Sequence, residues 1–247
     1  MASAPHWRGD RAGRFYVAIA LTACAAVTIG FSTTYFLPLA RGSFDGPAVA
    51  HIHGLLFMTW VALLLVQPLL VRRRNTQLHR RLGLVALPLA LAMAASGLGV
   101  GVYAVTRDLA AGVGADAYSQ LVGVATAMVL FVLYVAIALA LRKQPDWHKR
   151  MMLLATIAIL WPAWFRFRHL MPWLPHPDII LAVMVSDSLI LIAMLRDKLR
   201  FGRVHPAYWT FGLLLIADHV AETLAYDSPA WRSAAQALYG ALTGTAA

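Results

Sequence analysis

The sequence predicts an all-helical membrane protein: a bundle of seven transmembrane helices with the N-terminus in the cytoplasm and the C-terminus in the periplasm. Hydrophobic residues make up 60% of the 247 residues and charged residues 13%, whereas soluble proteins carry about 25% charged residues. Apolar runs of about 20 residues recur along the chain, which is the length that crosses about 30 Å of hydrocarbon. Lys and Arg cluster between these runs, as they do in cytoplasmic loops.

Seven segments have the length and composition of a spanning helix. In chain order, segments one to seven cover residues 15–39, 48–71, 82–106, 119–141, 151–173, 179–196 and 207–226. Residues 1–14 are expected to form a cytoplasmic N-terminal segment, and residues 15–226 the transmembrane domain. Residues 227–247 open with Asp227-Ser228-Pro229, which suits the start of a helix, and continue with apolar residues at helical spacing. They predict a short amphipathic helix on the outer surface.

The distribution of positive charge predicts the orientation. With the N-terminus inside, sixteen Lys and Arg residues fall on the cytoplasmic side and five on the outer side. The positive-inside rule favours this arrangement, and an even number of helices would spoil it. The net charge of +10 lies in short clusters between apolar runs, so the expected partners are anionic lipid headgroups on the cytoplasmic side rather than nucleic acid.

Two cytoplasmic loops share one template. Arg73-Arg74-x4-His79-Arg80-Arg81 and Arg142-Lys143-x4-His148-Lys149-Arg150 are offset by 69 residues. Residues 48–106 and 119–173 are therefore predicted to be copies of one hairpin, related by an axis along the membrane normal, with convergence of two basic loops as the alternative. His79 and His148 suggest a haem held by both, with Arg80, Arg81, Lys149 and Arg150 on its propionates; the other interpretation is contact with anionic headgroups.

Ionisable residues inside the predicted helices are the candidate functional site, because each costs about 2.5–3.5 kcal/mol at the bilayer centre. Counting the helical rise places most of them in the outer half of the bilayer, which predicts an outward-facing polar pocket that could also take a small-molecule ligand. They are Asp218, His219 and Glu222 in segment seven, Asp187 in segment six, Arg166, Arg168 and His169 in segment five, and His51 and His53 at the outer end of segment two.

Three interpretations of this pocket remain open. Imidazole and carboxylate groups bind zinc, iron or copper, so His53, His219 and Asp218 or Glu222 could hold a divalent transition metal or a haem for redox or hydrolytic chemistry. His51 would join only if its helix end were unwound, since it lies about 200° from His53. In a structural network Arg166 would pair with Asp187 or Glu222. In a proton-coupled transporter or small-ligand sensor the same residues would relay protons or bind the ligand.

Four motifs resemble those of a group of bacterial multi-helix membrane proteins for which no activity is established. The motifs are His51-x-His53-Gly54, Gln67-Pro68-Leu69-Leu70, Leu78-His79-Arg80-Arg81-Leu82-Gly83 and His148-Lys149-Arg150-Met151-Met152. The resemblance runs from about residue 15 to residue 225. It implies a multi-pass protein of the bacterial inner membrane and assigns a role to no residue.

Overall fold

The computed structural model describes the backbone of residues 9–245 and the side chains of residues 13–245. All regular secondary structure in this range is helical. Residues 1–8 of the expected N-terminal segment and the last two residues of the chain lie outside it. The α-helices are α1 (Gly9–Gly30), α2 (Leu37–Ala40), α3 (Ala48–Arg72), α4 (Thr76–Gly83), α5 (Ala86–Ala110), α6 (Gln120–Ala140), α7 (Pro145–Ala158), α8 (Trp161–Phe165), α9 (Ser186–Phe201), α10 (Leu213–Ala225) and α11 (Pro229–Thr243).

Six helical segments in this range are long and apolar enough to cross a membrane. They correspond in order to predicted segments one to six and indicate a multi-pass membrane protein. Their bounds are Gly13–Gly30, Ala48–Arg72, Thr76–Ala110, Gly114–Ala140, Pro145–His169 and Asp178–Phe201.

The seventh predicted segment is helical but differs from the other six in composition. A π-helix at Tyr208–Gly212 leads directly into α10. Asp218, His219 and Glu222 on α10 make this helix less apolar than the six. Its helical structure therefore agrees with the prediction, whereas its length and composition alone do not place it across the membrane.

The first segment starts earlier than expected and is not one straight helix. The helix α1 begins at Gly9 and ends at Gly30, and the chain continues as a π-helix at Ser32–Phe36 before α2. Gly30 faces the backbone of Ala163, where an added Cβ would overlap the carbonyl oxygen. The absence of a side chain at Gly30 therefore allows α1 to approach α8 closely.

The fifth segment is interrupted in the middle. The helix α7 ends at Ala158, and α8 starts at Trp161 with Pro162 in its first turn. Proline lacks the backbone N–H that would continue the hydrogen-bond ladder, and it disfavours a helical conformation in the preceding residue. Ile159 and Leu160, which join the two helices, are 1% and 0% exposed. This break is therefore inside the protein.

The two ends of the bundle differ in charge. The α3–α4, α6–α7 and α9–α10 loops gather with the start of α1 at one end: Arg150 of α7 pairs with Asp197 of α9, and the ring of Trp147 packs on His205, 4.9 Å between centroids. We call this the basic end, because these loops carry most of the Lys and Arg residues. The opposite end holds the α2–α3 and α5–α6 connections and α11.

The C-terminal helix is docked on the protein as well as being amphipathic. Trp231 donates from Nε1 to the carbonyl oxygen of Ser119, 2.8 Å away, and the Ser119 hydroxyl donates to Asp227 at 2.6 Å. Arg232 pairs with both Asp227 and Asp116. The hydrogen bonds from Arg232 and Ser119 lower the pKa of Asp227 to about 2. The predicted helix of residues 227–247 is thus held in place by polar contacts at the opposite end.

Candidate functional site

A hydrogen-bonded pair between α9 and α10 lies at the centre of the predicted polar cluster. His219 Nδ1 donates to Asp187 Oδ1 at 2.8 Å, and each side chain is only 7% exposed. The second carboxylate oxygen, Asp187 Oδ2, is buried and has no hydrogen-bond partner. A buried polar atom without a partner costs about 1–3 kcal/mol. Only one of the two carboxylate oxygens of Asp187 is therefore hydrogen-bonded.

Both helices that supply this pair are preceded by π-helical backbone. Asp187 is the second residue of α9, which follows the π-helix Asp178–Val185. The helix α10 follows the π-helix Tyr208–Gly212. The π-helical backbone is rare, and it occurs frequently at functional sites. The local backbone thus gives a second indication that this region has a functional role.

The acidic face of α10 continues from His219 to Glu222, which contacts α6. The Thr126 hydroxyl donates to Glu222 Oε1, and a Cβ built on Gly123 would lie 3.4 Å from Glu222 Oε2. Asp218, on the same helix, is partly exposed. Asp187, His219 and Glu222 therefore join three helices, α6, α9 and α10, through polar side chains.

The two histidines of α3 have partners elsewhere. His53 Nδ1 lies 3.0 Å from Ser96 Oγ, and Ser96 donates its own proton to the carbonyl of Met93. Ser96 Oγ therefore accepts from His53, which puts the proton of the neutral ring on Nδ1. His51 Nδ1 lies 3.0 Å from the Tyr35 hydroxyl. These contacts tie α3 to α5 and to the segment that follows α1.

The structure does not assemble the metal site expected from His53, His219, Asp218, Glu222 and His51. Within residues 13–245 no group of three or more His, Cys, Asp or Glu side chains is arranged to hold a metal ion. Three of the expected ligands have hydrogen-bond partners of their own: Ser96 for His53, Asp187 for His219 and Thr126 for Glu222. Side-chain partners on neighbouring helices could not be read from the sequence.

The arginines of the fifth segment donate hydrogen bonds to backbone carbonyls of that segment and not to the carboxylates of the polar cluster. Arg166 donates to the carbonyl of Pro162 at 2.8 Å and lies 4.1 Å above the ring of Phe31. Arg168 donates to the carbonyl of Phe165 and covers the ring of that residue, and His169 is exposed. The expected pairing of Arg166 with Asp187 or Glu222 is therefore wrong. The short helix α8 and the 3₁₀ turn after it provide carbonyls near their ends that need donors.

At the basic end the two template histidines lie against each other. The ring centroids of His79 and His148 are 6.3 Å apart and the ring planes are at 88°. His148 donates from Nδ1 to the carbonyl of Ala138 at 2.8 Å. The side-chain amide of Gln67 lies against Gly83 and His79, and the orientation that satisfies both its ends accepts from the Gly83 N–H at 3.1 Å and turns its NH₂ group to the carbonyl and Nδ1 of His79. Each ring is thus anchored to the preceding helix.

Arg150, expected to contact anionic headgroups or haem propionates, is buried in an ion pair that the sequence did not predict. It is 2% exposed and Asp197 is 0% exposed. Arg150 donates to Asp197 Oδ2 from Nε at 2.8 Å and to the carbonyl of Asp146 at 2.7 Å, and Arg196 donates to Asp197 Oδ1. Lys149 pairs with Asp146, whereas Arg80 and Arg81 are exposed. The feature of the sequence that could have predicted this ion pair is Asp197, the single acidic residue within the basic run 196–200.

No family model, no curated protein and no solved structure matches this chain. The resemblance to bacterial membrane proteins therefore stays an expectation, and function is inferred from geometry.

Proposed function

We propose that this chain is a seven-helix membrane transporter that moves protons, with the Asp187–His219 pair as its proton-exchange site and Glu222 as a second proton carrier. The observation that carries the proposal is the buried hydrogen bond between Asp187 and His219, in which Asp187 Oδ2 has no partner. Buried Asp, Glu and His side chains inside membrane helices are typical of proton relays.

The chemistry of the pair suits reversible protonation. A carboxylate with one free oxygen can take a proton on that oxygen without losing its hydrogen bond to His219. Imidazole titrates nearer neutral pH than any other unperturbed side chain, and its second nitrogen is a further proton acceptor. Glu222 lies three residues after His219 on the same helix, and residues at this spacing are neighbours on a helix surface. Protons could therefore pass between Asp187 of α9 and His219 of α10 through their hydrogen bond, and between His219 and Glu222 along one face of α10.

The surrounding backbone has the irregularities found in transporters. Inside a membrane, broken helices are tolerated where the protein buries them or where they line a cavity, and interrupted helices often mark the transport site. The break between α7 and α8 is buried, and π-helices precede both α9 and α10. These three features support a site whose helices can change conformation.

The exposed face of α10 supports a seventh membrane crossing. Leu214, Val220 and Leu224 are 51%, 43% and 82% exposed, whereas His219 is buried, as expected for a helix with lipid on one side and protein on the other. The helix of residues 208–225 is about 27 Å long at 1.5 Å per residue, close to the hydrocarbon thickness. With seven crossings the chain termini lie on opposite sides of the membrane, and the positive-inside rule favours a cytoplasmic basic end and a periplasmic α11. We infer a bacterial inner membrane from the resemblance of the four sequence motifs.

Proton flux into vesicles tests this proposal. The purified chain is reconstituted into phospholipid vesicles with an entrapped pH-sensitive dye, and a potassium diffusion potential, negative inside, drives proton entry. Wild-type protein should acidify the lumen faster than protein-free vesicles do. Asp187→Asn should abolish the difference, because the amide cannot take up the proton.

The matched control is Asp45→Asn, which removes a carboxylate from the exposed loop before α3 and should leave the flux unchanged. Equal acidification with and without wild-type protein would contradict the proposal. Full flux through the Asp187→Asn variant, inserted in equal amount, would remove Asp187 from the proton path.

A further inference from the structure

We propose that a groove between α1 and α9 holds one anionic phospholipid from the leaflet at the basic end. The phosphate of the lipid lies between Arg196 and Arg200, and one acyl chain runs along an apolar stripe of α9. This site goes beyond the transport proposal and does not depend on whether the chain moves protons. It also differs from the headgroup contacts that the sequence predicts, which lie in the two repeated loops.

The groove has room for part of a lipid molecule and is open to the outside of the bundle. Its volume is about 540 Å³. The side of α9 that faces the groove is exposed, whereas Ile190 and Asp197 on the other side of the helix are buried. Four apolar side chains and two arginines line it: Phe15 of α1, and Ile192, Leu195, Arg196, Leu199 and Arg200 of α9.

The apolar stripe and the arginines lie at depths that match a phospholipid. The helix α9 belongs to a segment that is long and apolar enough to cross a membrane, and it ends at Phe201, at the basic end. Arg200 follows Ile192 by eight residues, which is about 12 Å along a helix. One leaflet contains about 15 Å of hydrocarbon. With the arginines at the headgroup level, the stripe therefore extends most of the way to the bilayer centre.

The mouth of the groove has an excess of positive charge. Asp197 accepts from both Arg150 and Arg196, so one carboxylate is shared by two guanidinium groups. From residue 196 to residue 203 the chain has four basic residues and this single acid. Clusters of Lys and Arg at the end of a membrane helix attract anionic lipids. The charge therefore favours a headgroup with a net negative charge over a zwitterionic one.

Arg196 is held at the groove and has a hydrogen-bond donor that is not used. Its guanidinium carbon lies 4.7 Å from the ring centroid of Phe15 and 5.5 Å from that of Phe201, and its Nη1 donates to Asp197. Its Nη2 is buried and has no hydrogen-bond partner within the described part of the chain. Phosphate oxygens are strong acceptors for arginine. A phosphate at the mouth can therefore accept from a donor that Asp197 leaves unpaired.

A phospholipid uses both features of the groove, whereas a free phosphate ion uses one. Free phosphate would pair with the guanidinium groups and leave the apolar stripe uncovered. Ile192, Leu195 and Leu199 follow one another at spacings of three and four residues, so they form one continuous stripe on the helix surface. An acyl chain attached to the phosphate covers this stripe, and the two parts of the ligand are then bound by one molecule.

Lipid binding to the purified full chain tests the site. Native mass spectrometry counts the lipids retained in detergent as anionic dioleoylphosphatidylglycerol or zwitterionic dioleoylphosphatidylcholine is titrated in. Wild type should retain one phosphatidylglycerol under conditions that remove phosphatidylcholine. Arg196→Gln/Arg200→Gln should weaken this binding about 30-fold, since each arginine near an anionic headgroup contributes about fivefold. Arg142→Gln/Lys143→Gln removes the same charge from an exposed loop of the basic end and should bind like the wild type.

A second pair of variants tests the groove with both arginines in place. Leu199→Glu puts a carboxylate three residues after Arg196, a spacing at which helix side chains pair. This carboxylate should compete with the phosphate and abolish retention of the lipid. Leu199→Gln has nearly the same size without the charge and should retain the lipid. Thermal unfolding of every variant, followed by circular dichroism, checks that the fold is retained.

Several outcomes would overturn the proposal. These are equal retention of the two lipids by wild type, and equal affinity for phosphatidylglycerol in wild type and in Arg196→Gln/Arg200→Gln. An equal loss in the Arg142→Gln/Lys143→Gln control would assign the effect to overall charge instead of the groove. Displacement of the bound lipid by millimolar inorganic phosphate would replace the lipid site with a site for the free anion.

Discussion

The buried Arg150–Asp197 pair at the basic end and the buried Asp187–His219 pair between α9 and α10 differ in how fully their hydrogen bonds are satisfied. Both oxygens of Asp197 accept from arginines. Asp187 has one oxygen bonded to His219 and the other without a partner. A buried charge that is fully paired holds helices together, since removing either partner is costly. A carboxylate with a free oxygen has room for a proton, which a structural ion pair lacks.

The two pairs also differ in the groups around them. Arg150 lies between Asp197, the Asp146 carbonyl and the rings of Phe201 and Tyr208, all close to loops of the basic end. Asp187 lies beside π-helical backbone and shares α10 with Glu222. The contrast fits a structural role for the Arg150–Asp197 pair and the proton-exchange role that we propose for the Asp187–His219 pair.

The largest expected effect concerns the membrane topology of the chain. The comparison of the two buried pairs assumes that the basic end, which holds the Arg150–Asp197 pair, is on the cytoplasmic side. Reporter fusions placed after Arg81 and after Arg150 should give cytoplasmic signals, and a fusion after Ala247 a periplasmic one. The reason is the sixteen-to-five distribution of Lys and Arg. Opposite signals from two of the three fusions would reject the seven-helix topology.

The next effect is the loss of stability when the satisfied pair is broken. Asp197→Ala should lower the free energy of unfolding by about 3–5 kcal/mol, because Arg150 would lose its buried counter-charge and keep only the exposed carboxylate of Asp146. Chemical unfolding in mild detergent measures it.

The control for this experiment is Asp146→Ala, which removes the exposed partner of the same guanidinium and should cost less than about 1 kcal/mol. The double variant Arg150→Met/Asp197→Leu should recover most of the lost stability. Equal losses from Asp197→Ala and Asp146→Ala would mean that the buried pair has no special structural role.

A smaller effect on stability is expected at the half-satisfied pair. His219→Ala should lower the free energy of unfolding by about 1–3 kcal/mol, because Asp187 then has no hydrogen-bond partner on either oxygen. Asp187→Asn keeps an acceptor for His219 and should change stability by less than about 1 kcal/mol while abolishing proton flux. A loss from Asp187→Asn as large as that from Asp197→Ala would remove the distinction between the two pairs.

The smallest effect is expected at the opposite end, where the Asp227 contacts hold α11. The pKa of Asp227 is lowered to about 2 in the folded protein, below its ordinary value of about 3.9. Its contribution is therefore fully present above pH of about 4 and is lost as the pH falls toward about 2. Hydrogen exchange in residues 229–243, corrected for intrinsic rates, should increase over this interval.

In Asp227→Asn, exchange in α11 should already be faster at neutral pH and should depend less on pH. An acid-induced increase of equal size in wild type and in this variant would assign the effect to another carboxylate, Asp116 being the nearest candidate through Arg232.

Much of the fold could be predicted because lipid imposes a simple rule on sequence. Six of the seven predicted segments are helices long and apolar enough to cross a membrane, since a spanning run must be apolar over about 20 residues. Of the four ionisable residues expected to avoid lipid because of the cost of exposing them to it, Asp187 and His219 are buried, whereas Asp218 and Glu222 are partly exposed. The break at Pro162 and the π-helices were not predicted, because an interrupted run has the same hydropathy as a continuous one.

The candidate site was predicted less well than the fold. One of the three interpretations of the sequence placed His53, His219 and Glu222 in a shared metal site, whereas in the structure their hydrogen-bond partners are Ser96, Asp187 and Thr126. Helical periodicity gives the face on which a residue lies, but not which neighbouring helix that face meets. Arg150 was expected to contact lipid headgroups or haem propionates because its loop is basic, whereas in the structure it is buried in a pair with Asp197.

The sequence by itself determined that the protein is helical and multi-pass, where six of its apolar helices lie, and which residues are too polar to face lipid, because these properties depend on composition along one helix at a time. The tertiary structure alone decided which polar groups are satisfied and which are not. Asp187 Oδ2 is left without a partner, and His79 and His148 meet across two hairpins. Both results depend on contacts between residues distant in the chain, and helix packing sets those contacts to within an ångström or two.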